Sequence, residues 1–318
     1  MVADAEAGAS PAGGRPQRRP GGDPRMTVVI ITRDRRDELL RTLGRLAALP
    51  EWPPVIVVDN ASRDGTPAAV RRHFPAVRLL AARSNLGAAG RNLALRQVTT
   101  RYVAFCDDDT WWEPGSLALA ADALDGCPEV AGVTARIVVQ PDGTDDPITP
   151  ELAGSPLPGR PGLPGPVLMS IMAGASMLRC DAFRAVGGFS PRLFLGGEEE
   201  LLSADLVARG YLLCYLPRAT VHHQASVLRD PTRRRWLGIR NTLWFTWLRR
   251  PPAAAVRRTV ELAATVPRDG VSASAFGAAL AGLPWVLRER EPVPPRVETW
   301  IRLLDEPRRT SAARQYVG

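Results

Sequence analysis

The stretch that decides the fold is Tyr102-Val103-Ala104-Phe105-Cys106-Asp107-Asp108-Asp109, an apolar run that ends abruptly in three consecutive carboxylates. The run has the length and composition of a buried strand. Like charges in a row repel one another, and a hard divalent cation with oxygen ligands, often shared with substrate phosphates, is the usual relief. An acidic triplet is also common in solvated turns. The surroundings of the triplet therefore decide whether it predicts a metal–diphosphate site.

Strands and helices alternate on the N-terminal side of this stretch. Residues 27–32 are a β-branched run typical of a parallel strand buried on both faces, and apolar residues at helical spacing follow over 39–49. Further strand candidates lie at 55–58 and 77–80, each followed by turn residues and a short helical segment, before the strand at 102–106. This alternation predicts a doubly wound α/β sheet.

Polar side chains stand at the carboxyl ends of three of these strands. Thr32 and Arg33 follow the first strand, Asp59 and Asn60 follow the second, and the acidic triplet follows the fourth. In open α/β sheets, ligands bind in the crevice outside the carboxyl ends of the strands. We therefore expect these residues to meet at one ligand site.

Two classes of nucleotide site are excluded by composition. A dinucleotide site needs a glycine-rich turn after the first strand, and residues 31–34 contain no glycine. A Walker-type phosphate loop needs a lysine, and the chain has none. A sugar nucleotidylyltransferase would need both the glycine-rich loop and the lysine, so that class is excluded as well.

The segment from about residue 26 to 225 resembles the family 2 glycosyltransferases, which have the GT-A fold. The resemblance rests on motifs at 32–34, 57–66, 85–92, 107–109, 174–178, 183–189, 195–200, 210–211 and 215–223. It implies a mixed, doubly wound sheet flanked by helices. It also implies transfer of a sugar from a nucleotide-diphosphate donor to an acceptor hydroxyl, with inversion by direct displacement at the anomeric carbon.

The resemblance assigns residues to the donor site. Asp59 matches an acidic residue that contacts the nucleoside, although it could instead form an Asx turn with Asn60 and Ser62. The form of residues 59–62 is similar to rhamnosyl-type members, which favours a UDP or dTDP donor. Arg33 and Arg91 could each bind the diphosphate bidentately. The full predicted donor set is Thr32, Arg33, Asp59, Asn85, Arg91, Asp107 and Asp108.

The resemblance also implies a divalent metal, Mg²⁺ or Mn²⁺. Asp107 and Asp109 match the DxD pair of the family, with Asp109 reaching the ion and Asp107 nearer the ribose. His222 matches a position that can complete the metal shell, and imidazole suits Mn²⁺ better than Mg²⁺. The adjacent His223 is the alternative ligand.

The general base is expected in the first turn of a helix. Members of the family commonly carry Glu-Asp there, and counting back eleven residues from Gly210 places Glu199 on the aspartate position, beside Glu198. The extra methylene of glutamate makes Glu200 a competing candidate. The same acids could simply favour the helix dipole, and both roles can hold together.

The chain ends are expected to lie outside the catalytic domain. Residues 1–25 have the composition of a disordered tail and lack a signal peptide's apolar region. Residues 140–166, rich in proline and glycine, predict a long irregular loop over the acceptor side. The four cysteines show no metal or redox spacing, which favours free thiols in the cytoplasm.

Residues 226–318 carry the basic charge of the chain, with 17 arginines against 8 acids. Within this predicted helical extension, residues 232–250 have the pattern of an amphipathic helix with tryptophans and flanking arginines. Such a helix could bind an anionic membrane surface, which would place the enzyme peripherally at the inner face of the plasma membrane, or it could pack on the catalytic domain. Because the basic and aromatic residues lie outside the α/β part, we expect no nucleic-acid partner.

Three functions from different classes follow. The first is an active glycosyltransferase acting on a cell-envelope, lipid-linked or secondary-metabolite acceptor. The second is a catalytically silent nucleotide-sugar-binding module, and the third is a membrane-surface adaptor. Because Asp107, Asp109 and Glu199 are all present, the sequence favours the active enzyme. The feature that favours a silent module is Glu199, a glutamate where the family commonly has aspartate.

Overall fold

The computed structural model describes residues 22–224 and 230–310. Within these residues one sheet of ten strands forms the centre of the molecule. The strands are β1 (Met26–Thr32), β2 (Val55–Asp59), β3 (Arg78–Ala81), β4 (Tyr102–Asp107), β5 (Thr110–Trp112), β6 (Val130–Val139), β7 (Thr144–Asp145), β8 (Val167–Leu168), β9 (Ser176–Arg179) and β10 (Leu212–His223).

Helices flank the sheet and form the C-terminal part of the described chain. They are α1 (Arg36–Ala47), α2 (Thr66–His73), α3 (Gly90–Leu95), α4 (Ser116–Gly126), α5 (Thr149–Ala153), α6 (Cys180–Ala185), α7 (Glu198–Ala208), α8 (Pro231–Arg249), α9 (Pro252–Thr265), α10 (Gly270–Ala281), α11 (Leu283–Arg288) and α12 (Pro295–Thr310).

The main strand order is β3-β2-β1-β4-β9-β6-β10-β5. The strands β3, β2, β1 and β4 are parallel, and β9 inserts antiparallel between β4 and β6. The register pairs Thr32 with Asp59 and Ile31 with Asp107. The mixed, doubly wound sheet is therefore confirmed, and its register brings the ends of β1, β2 and β4 side by side.

The hydrophobic core explains why these strands lie at the centre of the sheet. Val28, Val29 and Ile30 of β1 are completely buried, as expected for a β-branched strand covered on both faces. Below the acidic triplet, the rings of Phe105, Phe183 and Phe189 lie 5.4 to 5.8 Å apart, centroid to centroid. This aromatic cluster joins β4 to the segment at 183–189.

Two predicted irregular segments contain more structure than expected. Residues 140–166 include β7, which pairs with β6, and α5, so the expectation of a loop without elements was wrong. The proline and glycine content hid two elements of only two and five residues. In the predicted tail, residues 1–21 lie outside the described residues, whereas the N–H of Asp23 donates to the carbonyl of Glu51 at 2.9 Å.

The tryptophans of α8 make contacts within the protein. Trp244 is only 8% exposed and packs edge-on against Trp285 at 5.1 Å, and its indole N–H donates to the carbonyl of Ala279. Trp247 donates to Thr259, and the neighbouring Arg250 is buried in an ion pair. Of the two alternatives for residues 232–250, the structure therefore supports packing within the protein.

None of the helices in the described ranges combines the length and the apolar composition that a membrane-spanning segment needs. The four cysteines are free thiols, and three of them are buried.

Candidate active site

The acidic triplet lies at the carboxyl end of β4, where each carboxylate has its own surroundings. Asp107 ends the strand and its side chain is 42% exposed, whereas the side chains of Asp108 and Asp109 are only 6% exposed. Asp108 points back into the protein, because its Oδ2 accepts from Thr32 Oγ1 at 2.9 Å. Burial raises the pKa of Asp108 to about 7, although the charge of Arg35 acts in the opposite direction.

Two arginines form ion pairs with the carboxylates of the triplet. Arg91, which is 3% exposed, forms an ion pair with Asp107. Arg35 contacts Asp108 at 2.5 Å and Asp109 at 3.1 Å. Arg91, which was predicted to bind the donor, thus lies beside the triplet. Arg33, the other predicted arginine, pairs with Asp34 at 3.3 Å near the surface. Sequence reasoning missed Arg35, and its spacing two residues after Arg33 was the only signal.

The end of β2 supplies a buried acceptor for a ligand. Asp59 is 2% exposed; its Oδ2 accepts from the N–H of Ser62 at 3.1 Å. Its Oδ1 is buried and has no hydrogen-bond partner within the described chain. One oxygen of this carboxylate thus holds the local turn at Ser62, and the other has room for a second hydrogen bond. A donor N–H or O–H from a nucleoside would satisfy the second oxygen.

Asn85 and Asn60 shape the turn beside this pocket. The Oδ1 of Asn85 accepts from the N–H of Gly87 at 3.0 Å, so the side chain predicted to bind the donor forms an Asx turn. Asn60 is buried and donates from Nδ2 to the carbonyl of Gly87 at 3.1 Å. Both side chains fix the turn that leads into α3, which carries Arg91.

The glutamate pair lies in the first turn of α7, close to the triplet. Glu199 Oε1 accepts from the N–H of Ala173. The next residue, Gly174, is so close to the triplet that a Cβ built on it would lie 2.7 Å from Asp107 Oδ2. The backbone of residues 173–174 therefore touches both the glutamate pair and the acidic triplet.

Burial changes the acidity of the glutamate pair. It raises the pKa of Glu199 to about 8, and the neighbouring charge of Glu198 acts in the same direction. Burial also raises the pKa of Glu198, which is 5% exposed. The Oε2 of Glu198 lacks a hydrogen-bond partner among the residues the structure describes. The raised pKa of Glu199 lies near the neutral range in which a general base works best.

Of the two adjacent histidines, His223 faces the triplet. Its Nε2 lies 4.0 Å from Asp109 Oδ1, and its Nδ1 lies 3.6 Å from Asp146 Oδ2. His222 stacks on Trp111 at 5.5 Å and contacts Gln140. Successive residues of a strand point to opposite faces, so only one of the two can reach Asp109. The structure therefore favours His223 over the predicted His222.

Two side chains at the triplet are suitable ligands for a divalent metal. The described residues contain no cluster of three or more acidic, histidine or cysteine side chains that converges on one point. Asp109 and His223 are nonetheless a donor pair that Mn²⁺ accepts. Their 4.0 Å separation is too long for a hydrogen bond and leaves room for one ion to contact both. With substrate phosphates as further ligands, these residues fit the predicted ion.

Known proteins resemble this chain in sequence. The sequence model of glycosyl transferase family 2 matches residues 27–187. An N-acetylglucosaminyl-diphospho-decaprenol L-rhamnosyltransferase of Mycobacterium tuberculosis is 31% identical over 242 residues, which are 65% of this chain and 78% of the relative. A pre-mycofactocin glycosyltransferase of the same organism is 33% identical over 213 residues, 64% of this chain and 44% of the relative.

Solved structures share the fold. A mannosyltransferase from Pyrobaculum calidifontis, in complex with GDP-Man and Mn²⁺, has a TM-score of 0.59 at 20% identity and covers 93% of this chain and 85% of its own. GalNAc-T7 with UDP, GalNAc and Mn²⁺ has a TM-score of 0.58 at 13% identity, covering 85% and 58%. The predicted GT-A fold is thus confirmed. Because the family model matches half of the sequence, the chain belongs to glycosyl transferase family 2 and is a glycosyltransferase.

Proposed function

We propose that this glycosyltransferase moves a sugar with inversion from a UDP- or dTDP-activated donor to a hydroxyl of a lipid-linked acceptor. The observation that carries the proposal is the contact of residues 173–174 with both Glu199 and Asp107. It brings the buried carboxylate of Glu199 close to the acidic triplet, which we propose binds the diphosphate. Displacement with inversion needs these two features on either side of the anomeric carbon.

The donor would lie along the carboxyl ends of β1, β2 and β4. The open oxygen of Asp59 accepts from the nucleoside, and Arg91 and Arg35 are close enough to the triplet to meet the diphosphate. Guanidinium binds phosphate oxygens bidentately. Asp109 and His223 would hold Mg²⁺ or Mn²⁺, which would offset the charge that develops on the leaving diphosphate.

Glu199 is the proposed general base. Its carboxylate takes the proton of the acceptor hydroxyl while the hydroxyl oxygen forms a bond to the anomeric carbon and the bond to the diphosphate oxygen breaks. The N–H of Ala173 holds one carboxylate oxygen and so orients the other. The raised pKa, about 8, makes the carboxylate a stronger base than an exposed glutamate.

The relatives support the proposed acceptor class. One of the relatives is an L-rhamnosyltransferase whose name gives a diphospho-decaprenol-linked sugar as its acceptor. We therefore place rhamnosyl transfer onto a sugar linked to lipid diphosphate first among the activities to test. A cytoplasmic site for this reaction and attachment to the membrane through residues 232–250 stay predictions, and the packing of α8 lends the attachment no support.

The first experiment is thermal unfolding with UDP-, dTDP- and GDP-sugars, with and without Mn²⁺. A ligand that binds only the folded chain raises its melting temperature. A shift that needs both Mn²⁺ and one nucleotide would name the donor class, and Asp109→Asn should remove its metal dependence. No shift with any donor would contradict the proposed donor site.

The second experiment tests the base. Glu199→Gln should lower transfer by about 100-fold or more while leaving donor affinity within about twofold, because a general base contributes about 10² to 10⁴ to the rate. Glu200→Gln is the matched control one residue along α7. Retained transfer in Glu199→Gln and loss in Glu200→Gln would move the base by one residue. Retention of the anomeric configuration in the product, measured by NMR, would refute inversion.

A further inference from the structure

The loop that leads into α7 has an unusual backbone. Over residues 193–197, Phe194 has a φ of 67°, and Gly196 and Gly197 both have a φ of 82°. A phenylalanine in the left-handed region is strained and persists only when its surroundings hold it there. Because Glu198 and Glu199 follow directly, the position of the glutamate pair depends on whatever holds this loop.

Asn241 of α8 makes the contacts that hold the loop. It is 1% exposed, and its Nδ2 lies 2.8 Å from the carbonyl oxygen of Leu193, 3.1 Å from that of Leu195 and 2.5 Å from that of Gly196. Two amide hydrogens are thus shared among three carbonyls of a loop of five residues. A side chain without N–H donors would leave these carbonyls without that partner.

Arg240 sets the orientation of this amide. Its Nε donates to Asn241 Oδ1 at 3.0 Å, so that Nδ2 faces the loop, and its Nη2 donates to the carbonyl of Leu193 at 3.1 Å. The guanidinium lies between the rings of Trp236 and Trp244, 4.8 and 4.2 Å from their centroids. Burial lowers the pKa of Arg240 to about 10. The tryptophans of α8 therefore support a polar contact directed at the active site.

The opposite side of the loop touches the turn at residues 87–88. The carbonyl of Phe194 accepts from the N–H of Ala88 at 2.8 Å, and a Cβ on Gly87 would overlap this carbonyl. The turn at 87–88 leads into α3, which carries Arg91. The loop thus lies between the 87–88 turn and α8, and it ends at the glutamate pair.

We propose that Asn241 is a positioning residue for the transfer reaction: it holds residues 193–197 so that Glu199 starts α7 in register with the acidic triplet. This inference rests on the proposed role of Glu199 as base. It makes the C-terminal extension a part of the active site. The extension would then be required for turnover without touching either substrate.

The test uses the full chain with Asn241→Leu, which is close in size and has no donor. Transfer should fall by about 10- to 100-fold, because an error of about 1 Å at a catalytic group can cost that much. Donor affinity should fall far less than transfer, since the loop contacts the turn before Arg91 through the carbonyl of Phe194, which Asn241 does not hold. The control is Thr246→Val, a buried position on α8 for which the described residues show no hydrogen bond to the loop; its transfer should be unchanged.

Two further readouts separate positioning from a general loss of stability. Hydrogen exchange should quicken over residues 193–200 in Asn241→Leu and not in Thr246→Val. In Asn241→Asp, the protonated carboxyl regains one donor, so transfer relative to wild type should rise as the pH is lowered. If Asn241→Leu does not fold at the assay temperature, this pH ratio decides the question.

These experiments distinguish failure of the positioning role from failure of the proposed function. Full transfer by Asn241→Leu, or by Asn241→Asp at every pH, would overturn the positioning role while leaving the proposed function intact. Equal losses of transfer and donor affinity would overturn it as well, because they indicate a general structural defect. Absence of transfer by the wild-type chain with every donor would refute the proposed function itself.

Discussion

At the residue scale, the pH dependence of turnover reports on Glu199. Burial and the charge of Glu198 raise the pKa of Glu199 to about 8. In most molecules, Glu199 is therefore protonated at neutral pH. The acceptor kcat/KM should therefore rise with pH and level off above about 8, since only the carboxylate can accept a proton. Rate profiles from about pH 6 to pH 10 check this, and the rising limb should vanish in Glu199→Gln. An unchanged limb in that variant would assign the titration to another group.

Asp108 gives a stability prediction of the same kind. Burial raises its pKa from 3.8 to about 7 in the folded chain, so folding favours the protonated acid. The stability from this group is fully present below about pH 4 and is lost as the pH rises through about 7. Asp108→Asn should therefore make unfolding less pH-dependent over this window, by up to about 1.4 kcal/mol per pH unit. Urea unfolding at a series of pH values measures it; equal slopes for both chains would contradict the shift.

At the element scale, the turn before β9 must pass close to the end of β4. Gly174→Ala would place a methyl group 2.7 Å from Asp107 Oδ2. We expect metal-dependent donor binding to weaken at least about 10-fold, because the carboxylate or the turn must move. Isothermal titration with nucleotide and Mn²⁺ measures this effect.

The matched control is Gly44→Ala on α1. A Cβ there meets no atom within 4 Å, and the backbone is helical. This change should leave donor binding unaltered and stabilise the chain by about 0.5 to 1 kcal/mol, the helix propensity difference between the two residues. Equal donor affinity in both variants would show that the close approach of Gly174 has no role in binding.

At the scale of the whole molecule, a buried ion pair fastens α12 to α8. Arg250 is 2% exposed and binds Glu298 at 2.9 Å and Asp305 at 3.0 Å. Arg250→Ala leaves the buried carboxylate of Glu298 without this partner and should cost about 3 to 5 kcal/mol of unfolding free energy. Arg257→Ala breaks a solvent-exposed pair with Glu261 at 3.6 Å and should cost less than about 1 kcal/mol. Similar melting temperatures for the two variants would contradict this difference.

Much of the fold and part of the site could be predicted from sequence because the signals are local. The β-branched run in β1 and the apolar run in β4 specify buried strands, and their alternation with helices specifies parallel pairing. Parallel strands end at the same edge of the sheet, so Thr32, Asp59 and Asp107 had to meet there. The positions of Glu198 and Glu199 at the start of a helix followed from the same kind of pattern.

Choices between neighbouring residues could be made only with the tertiary structure. Spacing alone did not distinguish His222 from His223, because the face that each ring occupies depends on what packs against β10. Likewise Arg35 rather than Arg33 reaches the triplet, since the backbone turns sharply at Asp34, where φ is 52°.

The tryptophan-rich α8 shows the same limit of sequence-based prediction for a whole helix. An amphipathic pattern shows that one side of a helix is apolar, but it does not say whether lipid or protein covers that side. The sequence by itself determined the sheet, the acidic strand end and the glutamates of α7, because strand and helix periods are local properties. Only the tertiary structure decided which arginine and which histidine reach the triplet, and that Asn241 holds the loop before α7, because those contacts join segments distant in the chain.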